Sequence, residues 1–137
     1  MIIMSVDVGK VRTGIAVSDQ SEAFAFPKTV ITEYNEDKLV LKIKEQAEVL
    51  GAQLIVVGLP RNMDGSEGFK AEECRAVAQK IGEATGIEVQ MWDERCTTVS
   101  AHTALSFNNV RAKKRKQVVD AVAAVMILED FMRSRKN

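Results

Sequence analysis

The sequence predicts an α/β fold, a five-stranded mixed sheet with helices on both faces, built from residues 1–137 as one domain. Three observations predict it. Short β-rich runs alternate with stretches of helical periodicity, three strands joined by turns first and two more entered through helices afterwards. Several of the strand runs are almost continuously apolar, as strands buried on both faces are. The 46% apolar content over 137 residues suffices for one core without disulfide staples, and no repeat, low-complexity tract or interdomain linker divides it.

The elements follow in order. Residues 2–8 read as a buried strand, and "TGIAVSD" (13–19) as its hairpin partner across a turn holding Gly9, Lys10 and Arg12. "FPKTVIT" (26–32) gives a third strand, with Pro27 confined to a strand start or a sheet edge. Residues 36–50 carry Leu39, Ile43, Ala47 and Leu50 on one helical stripe, and Gly51 closes that helix. "LIVVGLP" (54–60) is a central parallel strand stopped by Gly58 and Pro60. The loop "RNMDGSEG" leads into a helix from Phe69 to about Ala84, and "IEVQMW" (87–92) alternates as a fifth strand. A short helix over 97–107, a basic loop and a terminal helix over about 114–133 complete the chain.

Composition excludes several classes of function. No apolar segment approaches the roughly 20 residues of a membrane span, and the apolar start runs into Asp7 without the basic leader of a signal peptide. Cys74 and Cys96 form no CxxC pair and read as reduced, packed thiols of a cytoplasmic protein. The formal net charge of zero hides a bipolar chain: residues 1–110 carry eleven Lys and Arg against sixteen Asp and Glu, residues 111–137 eight against three. Five of those cations, Arg111, Lys113, Lys114, Arg115 and Lys116, stand within six residues and make a candidate phosphate-binding patch.

Three acidic positions stand out by location. Asp7 ends the first strand, "DE" (Asp93, Glu94) ends the fifth, and Asp120 shares a helical stripe with Ala123, Ala124, Ile127 and Phe131. Strand ends of an open α/β sheet are where sites are built. If the first and fifth strands run parallel near the sheet centre under the terminal helix, these carboxylates converge. Singly, each has a structural explanation: a turn cap, a first helical turn, an ion pair with Lys116. Together, an oxygen-only set suits Mg²⁺ or Mn²⁺, and two such ions about 3.5–4 Å apart can activate water and stabilise the leaving oxygen of a phosphodiester. Arg95 offers a bidentate phosphate contact or an ion pair with a nearby carboxylate, Lys10 and Arg12 flank the glycine turn as backbone contacts or as solvated turn cations, and His102, Trp92 and Phe107 read as structural.

"VDVGKVRTGIAVSD", "IVVGLPRNMDGSEG", "WDERCTT" and "KKRKQVVDAVAAVMIL" resemble, in order and over nearly the whole chain, the YqgF/RuvX family. The resemblance implies an RNase H-like fold and a metal-dependent bacterial nuclease linked to maturation of the small-subunit ribosomal RNA precursor, with pre-ribosomal particles as a partner. It places the family's acids on Asp7, Glu94 and Asp120. Two departures stand out: Cys96 replaces the family's usual leucine, and "GLP" stands where the related RuvC resolvases carry an acid at the end of the fourth strand. Asp64 is nearby but sits in a turn sequence. "DVGKVRTGIAV" also resembles the phosphate loop of actin-like sugar kinase and chaperone ATPases, which need a second lobe. A Holliday junction resolvase acting on branched DNA, and a non-catalytic RNA-binding module, are the other readings. A monomer and a homodimer are both compatible with the sequence, a two-fold junction substrate favouring the dimer.

Overall fold

The computed structural model describes residues 1–60, 68–94 and 112–136, the last helix by backbone alone over 112–120. Five strands form one sheet: β1 (Ile3–Asp7), β2 (Arg12–Ser18), β3 (Ala25–Thr32), β4 (Leu54–Leu59) and β5 (Glu88–Asp93). Among the described residues three helices accompany them, α1 (Glu36–Leu50), α2 (Phe69–Thr85) and α3 (Ala112–Lys136). The strand order is β3-β2-β1-β4-β5. β1, β4 and β5 are parallel, and the first three strands are antiparallel neighbours.

Each helix forms for a local reason. Asn35 caps α1 through its side chain, which accepts from the Lys38 N–H at 3.0 Å, and Glu36 and Asp37 complement the positive helix start. Gly51 ends the helix in the left-handed region (φ 69°), where its N–H reaches the Ala47 and Glu48 carbonyls. The expected bounds hold to within a few residues. The terminal helix is longer than its apolar period, because no glycine or proline interrupts it between Ala112 and Lys136. The short helix expected over 97–107 lies outside the described residues.

Strand alternation divides the core. Met4, Val6, Ile55 and Val57 face α1 and α2, packing on Ile43, Ala47, Val77 and Ile81. Ile3, Leu54 and Val56 face α3, packing on Ala124, Ile127, Leu128 and Phe131. Helix α3 is pinned at two depths. The buried Ser5 hydroxyl donates to the Ala124 carbonyl at 2.6 Å, and Arg135 Nε donates to Glu22 at 2.9 Å. Glu22 also receives the Met1 amino group at 3.2 Å. The carboxyl end of α3 therefore lies over the start of β1, and its amino half over the carboxyl edge of the sheet.

One expectation is corrected. β1 and β5 are parallel, but they are not central neighbours: β4 lies between them and β5 is the sheet edge.

Candidate active site

Asp7 is the last residue of β1, opposite Gly14 of β2. Parity decides what it can meet. In β1, Ile3, Ser5 and Asp7 share the α3 face. In β4 that face carries Leu54, Val56 and Gly58, and in β5 it carries Trp92, which packs edge-on against Phe131 of α3 with ring centroids 5.8 Å apart. Continuing the alternation puts Glu94 on this face and Asp93 on the opposite one. Of the "DE" pair, Glu94 is thus the partner of Asp7, and the two carboxyls hydrogen-bond to each other.

The separation of β1 from β5 is bridged at Gly58. A Cβ there would stand 2.8 Å from Glu94 Cδ, 2.9 Å from Glu94 Cγ and 2.7 Å from Ile127 Cδ1. The glycine therefore clears the path along which the Glu94 side chain crosses β4 to reach Asp7. It also explains "GLP": an acid at position 58 would occupy the space that Glu94 uses. Sequence reasoning took Gly58 as a strand stop, and the carboxylate two strands away is what reveals its role.

Burial, reinforced by the hydrogen bond and the negative charge of Glu94, raises the Asp7 carboxyl from its ordinary value of 3.8 to about 8. The Lys70 ammonium pulls the other way. Lys70 was missed in the sequence. It stands in the first turn of α2, one turn before the buried Cys74 on the sheet-facing stripe, where a cation opposes the helix dipole. The Cys74 thiol is pushed up to about 12, mainly by burial, which keeps it an unreactive packing group. Trp92 is core-packed as expected, and its Nε1 finds no hydrogen-bond partner among the described residues.

Gly9 shapes the adjoining turn: a Cβ on it would lie 1.9 Å from the Arg12 carbonyl oxygen. This tight turn sets the exposed Lys10 and the half-buried Arg12 beside the end of β1. Asp120 is placed by backbone only. Its position in α3 is one turn before Ala124, whose carbonyl is bonded to Ser5, and so toward the Asp7 end of β1. Lys113, Lys114, Arg115 and Lys116 fall in the first turns of the same helix. The side chains of 112–120, and Arg95, Arg111, Asp64, Cys96, His102 and Phe107 entirely, lie outside the described residues.

Two carboxyls held in contact at a strand end, with only oxygen donors, fit a hard divalent cation, which would replace the shared proton and remove the repulsion. Among the described residues no group of three His, Cys, Asp or Glu gathers around a common point. Asp7 and Glu94 make two, and the third expected acid has its side chain outside that set. Among the described residues no helix is long and apolar enough to cross a membrane.

Solved structures share this fold over the length of the chain. Thermus thermophilus RuvC, solved in complex with a Holliday junction substrate, superposes with a TM-score of 0.65 over 99% of this chain and 96% of its own, at 13% identity. The fowlpox virus resolvase, solved with Holliday junction DNA, gives 0.62 over 100% of both chains at 12% identity. At the sequence level the "Putative pre-16S rRNA nuclease" of Clostridium acetobutylicum is 38% identical over 134 residues, 98% of this chain and 99% of that protein. The protein of the same name from Paracoccus denitrificans is 41% identical over 130 residues, 93% of this chain and 80% of its own. The family model described as "RuvX: Holliday junction resolvase" matches residues 1–134. With that match over residues 1–134 and relatives 38–41% identical over most of both chains, the chain belongs to the RuvX family.

Proposed function

We propose that this protein is a divalent-metal-dependent nuclease that hydrolyses phosphodiester bonds, acting on the 5′ end of the precursor of 16S rRNA in the bacterial cytoplasm. The observation that carries the reading is the Asp7–Glu94 contact at the carboxyl edge of the sheet, beneath the amino half of α3. Half-buried carboxyls in mutual contact are costly to ionise together, so their placement at a strand end makes sense where a cation is bound. Asp7, Glu94 and Asp120 would hold Mg²⁺ or Mn²⁺, two ions in the active complex. Bound there, the metal would lower the pKa of a water and offset charge on the departing oxygen. The protein's own part is positional. Gly58 gives Glu94 its route, Ser5 fixes the height of α3, and buried apolar neighbours keep bulk water from the Asp7 carboxyl.

Substrate contact falls to cations around this edge. Lys10 and Arg12 at the glycine turn, Arg95 after Glu94, and Arg111, Lys113, Lys114, Arg115 and Lys116 at the start of α3 would bind phosphates. Junction cleavage is a second reading, favoured by the description of the family. The two are separated by incubating the protein with labelled precursor rRNA and with synthetic four-way DNA junctions, with Mn²⁺ and with EDTA, beside Asp7→Asn. Metal-dependent cleavage of the RNA, lost in Asp7→Asn, supports the proposal. Cleavage of the junction alone shifts the substrate to DNA, and no cleavage of either by folded protein leaves an RNA-binding module.

A further inference from the structure

A concavity opens at the same carboxyl edge of the sheet as the candidate active site, on the α1 and α2 side, opposite the face that carries Asp7 and Glu94. It has a volume of about 460 Å³ and starts where β1 ends: Val8, Gly9 and Lys10 line it, and these are the three residues after Asp7. Val8, Leu39 and Val77 supply apolar surface. Tyr34, which is 80% exposed, stands beside them, and Glu73 of α2 contributes a carboxylate. Two further wall carboxylates are already engaged. Glu33 accepts from Lys42 at 3.0 Å and from the Asn35 N–H at 3.2 Å, and Glu36 accepts from Lys80 at 2.7 Å. These bonds tie the ends of β3 and α1 into a fixed wall. Among the described residues no lysine or arginine forms an ion pair with Glu73.

We infer that this groove receives an unpaired nucleobase of the substrate strand, stacked on Tyr34, next to the phosphate held at the Asp7–Glu94 edge. The volume lies in the range of small-ligand sites. An aromatic face beside apolar side chains suits any base, because every base has a π-face. The Glu73 carboxylate accepts from the N–H groups of a base edge, the usual way splayed single-stranded RNA is read. Phosphates are unsuited to the groove itself, since its wall carries three glutamates. Lys10 at its mouth instead meets the backbone. A strand crossing the carboxyl edge, from the basic start of α3 toward α1 and α2, thus presents its phosphate to Asp7 and drops a base beyond the Gly9 turn. The inference rests on the nuclease reading for the identity of the ligand.

Its test needs no metal and no cleavage. Precursor-rRNA fragments carrying 2-aminopurine, walked one position at a time through the single-stranded segment, are titrated with protein in EDTA. Anisotropy follows binding and fluorescence follows stacking. At one position the fluorescence should be quenched on binding. Tyr34→Ala should abolish the quenching and weaken binding roughly 5- to 150-fold, the stacking contribution of one base, while Tyr34→Phe retains both. An abasic nucleotide at that position should weaken wild type as much as Tyr34→Ala does, and the two changes together should cost no more than either alone. Tyr34 is solvent-exposed, so its variants keep the fold, and unchanged melting curves verify this. Unquenched fluorescence at every position, additive losses, or a failure to bind the RNA overturns the groove. Quenching by a protein that never cleaves with Mn²⁺ overturns the nuclease reading and leaves the groove standing.

Discussion

Asp7 makes the metal-free protein respond to pH in the direction opposite to an ordinary paired carboxylate. Its carboxyl is raised from 3.8 to about 8 in the folded state, by burial first and by Glu94 second. Between those values the native state binds a proton that the unfolded chain has released, so stability rises as pH falls and is lost as pH rises through the window. The slope is about 1.4 kcal/mol per pH unit. From about pH 8 down to about pH 5.5 the gain is on the order of 3 kcal/mol, or roughly 10 °C in Tm for a domain of this length. Glu22 and Glu33 are lowered by their cationic partners, and their windows lie below the ordinary carboxylate value; Glu129 and Asp130 are raised by burial and add to the slope in the same direction as Asp7. Asp7→Asn should shallow the profile to the part that Glu129 and Asp130 contribute and leave the variant more stable than wild type at the alkaline end. Added Mn²⁺ should reverse the wild-type slope, because metal binding displaces the proton and strengthens with pH. The assay is thermal unfolding in EDTA across this range for both proteins. A flat wild-type profile, or an equal slope in Asp7→Asn, would refute the buried, proton-sharing pair.

Two further outcomes follow from the geometry. Gly58→Ala is compatible with the backbone, since among the described residues the glycines at positive φ are Gly51 and Gly86, but the new methyl would meet Ile127 at 2.7 Å and Glu94 at 2.8 Å. Ile127 is fully buried, so Glu94 yields, and a misplacement near 1 Å lowers cleavage about 100-fold while overpacking costs about 1–3 kcal/mol of stability; wild-type cleavage by this variant would remove Gly58 from the site. Neutralising Lys113, Lys114, Arg115 and Lys116 should weaken RNA binding and shallow its salt dependence by roughly 0.7 in slope per lost single-strand phosphate contact, and an unchanged slope in a salt titration would mean the block does not touch phosphate.

How much of this was legible in the sequence depends on the range of the interaction. The helix over 36–50 was readable because its apolar period and its Gly51 terminus are local, and the Asn35 cap that the structure adds is local too. The single-face placement of Ser5 and Asp7 follows from strand alternation alone. Strand order was not readable: β4 lies between β1 and β5 through pairings such as Val6 with Val57 and Leu59 with Asp93, and nothing local encodes them. The resemblance placed the acid on Glu94, but the decision on whether Asp93 joins it turned on the same gap. It requires knowing that Trp92 faces α3, which its contact with Phe131 decides. Gly58 and Lys70 escaped notice because each has meaning only beside a side chain distant in sequence. Ser5 also went unread, because the bond that gives it meaning, to the Ala124 carbonyl, spans nearly the whole chain.

The central claim is that Asp7, Glu94 and Asp120 act as one metal site, and Mn²⁺ binding by calorimetry or electron paramagnetic resonance tests it most directly. Wild type should bind Mn²⁺ without nucleic acid, and Asp7→Asn, Glu94→Gln and Asp120→Asn should each lower the affinity sharply while keeping the fold. Asp120→Asn should be at least as stable as wild type in EDTA, since removing one of three crowded carboxylates relieves repulsion. Unchanged Mn²⁺ affinity in Asp120→Asn, joined to a loss of about 3–5 kcal/mol of stability with or without metal, would instead mark Asp120 as half of a buried ion pair and contradict the three-carboxylate site.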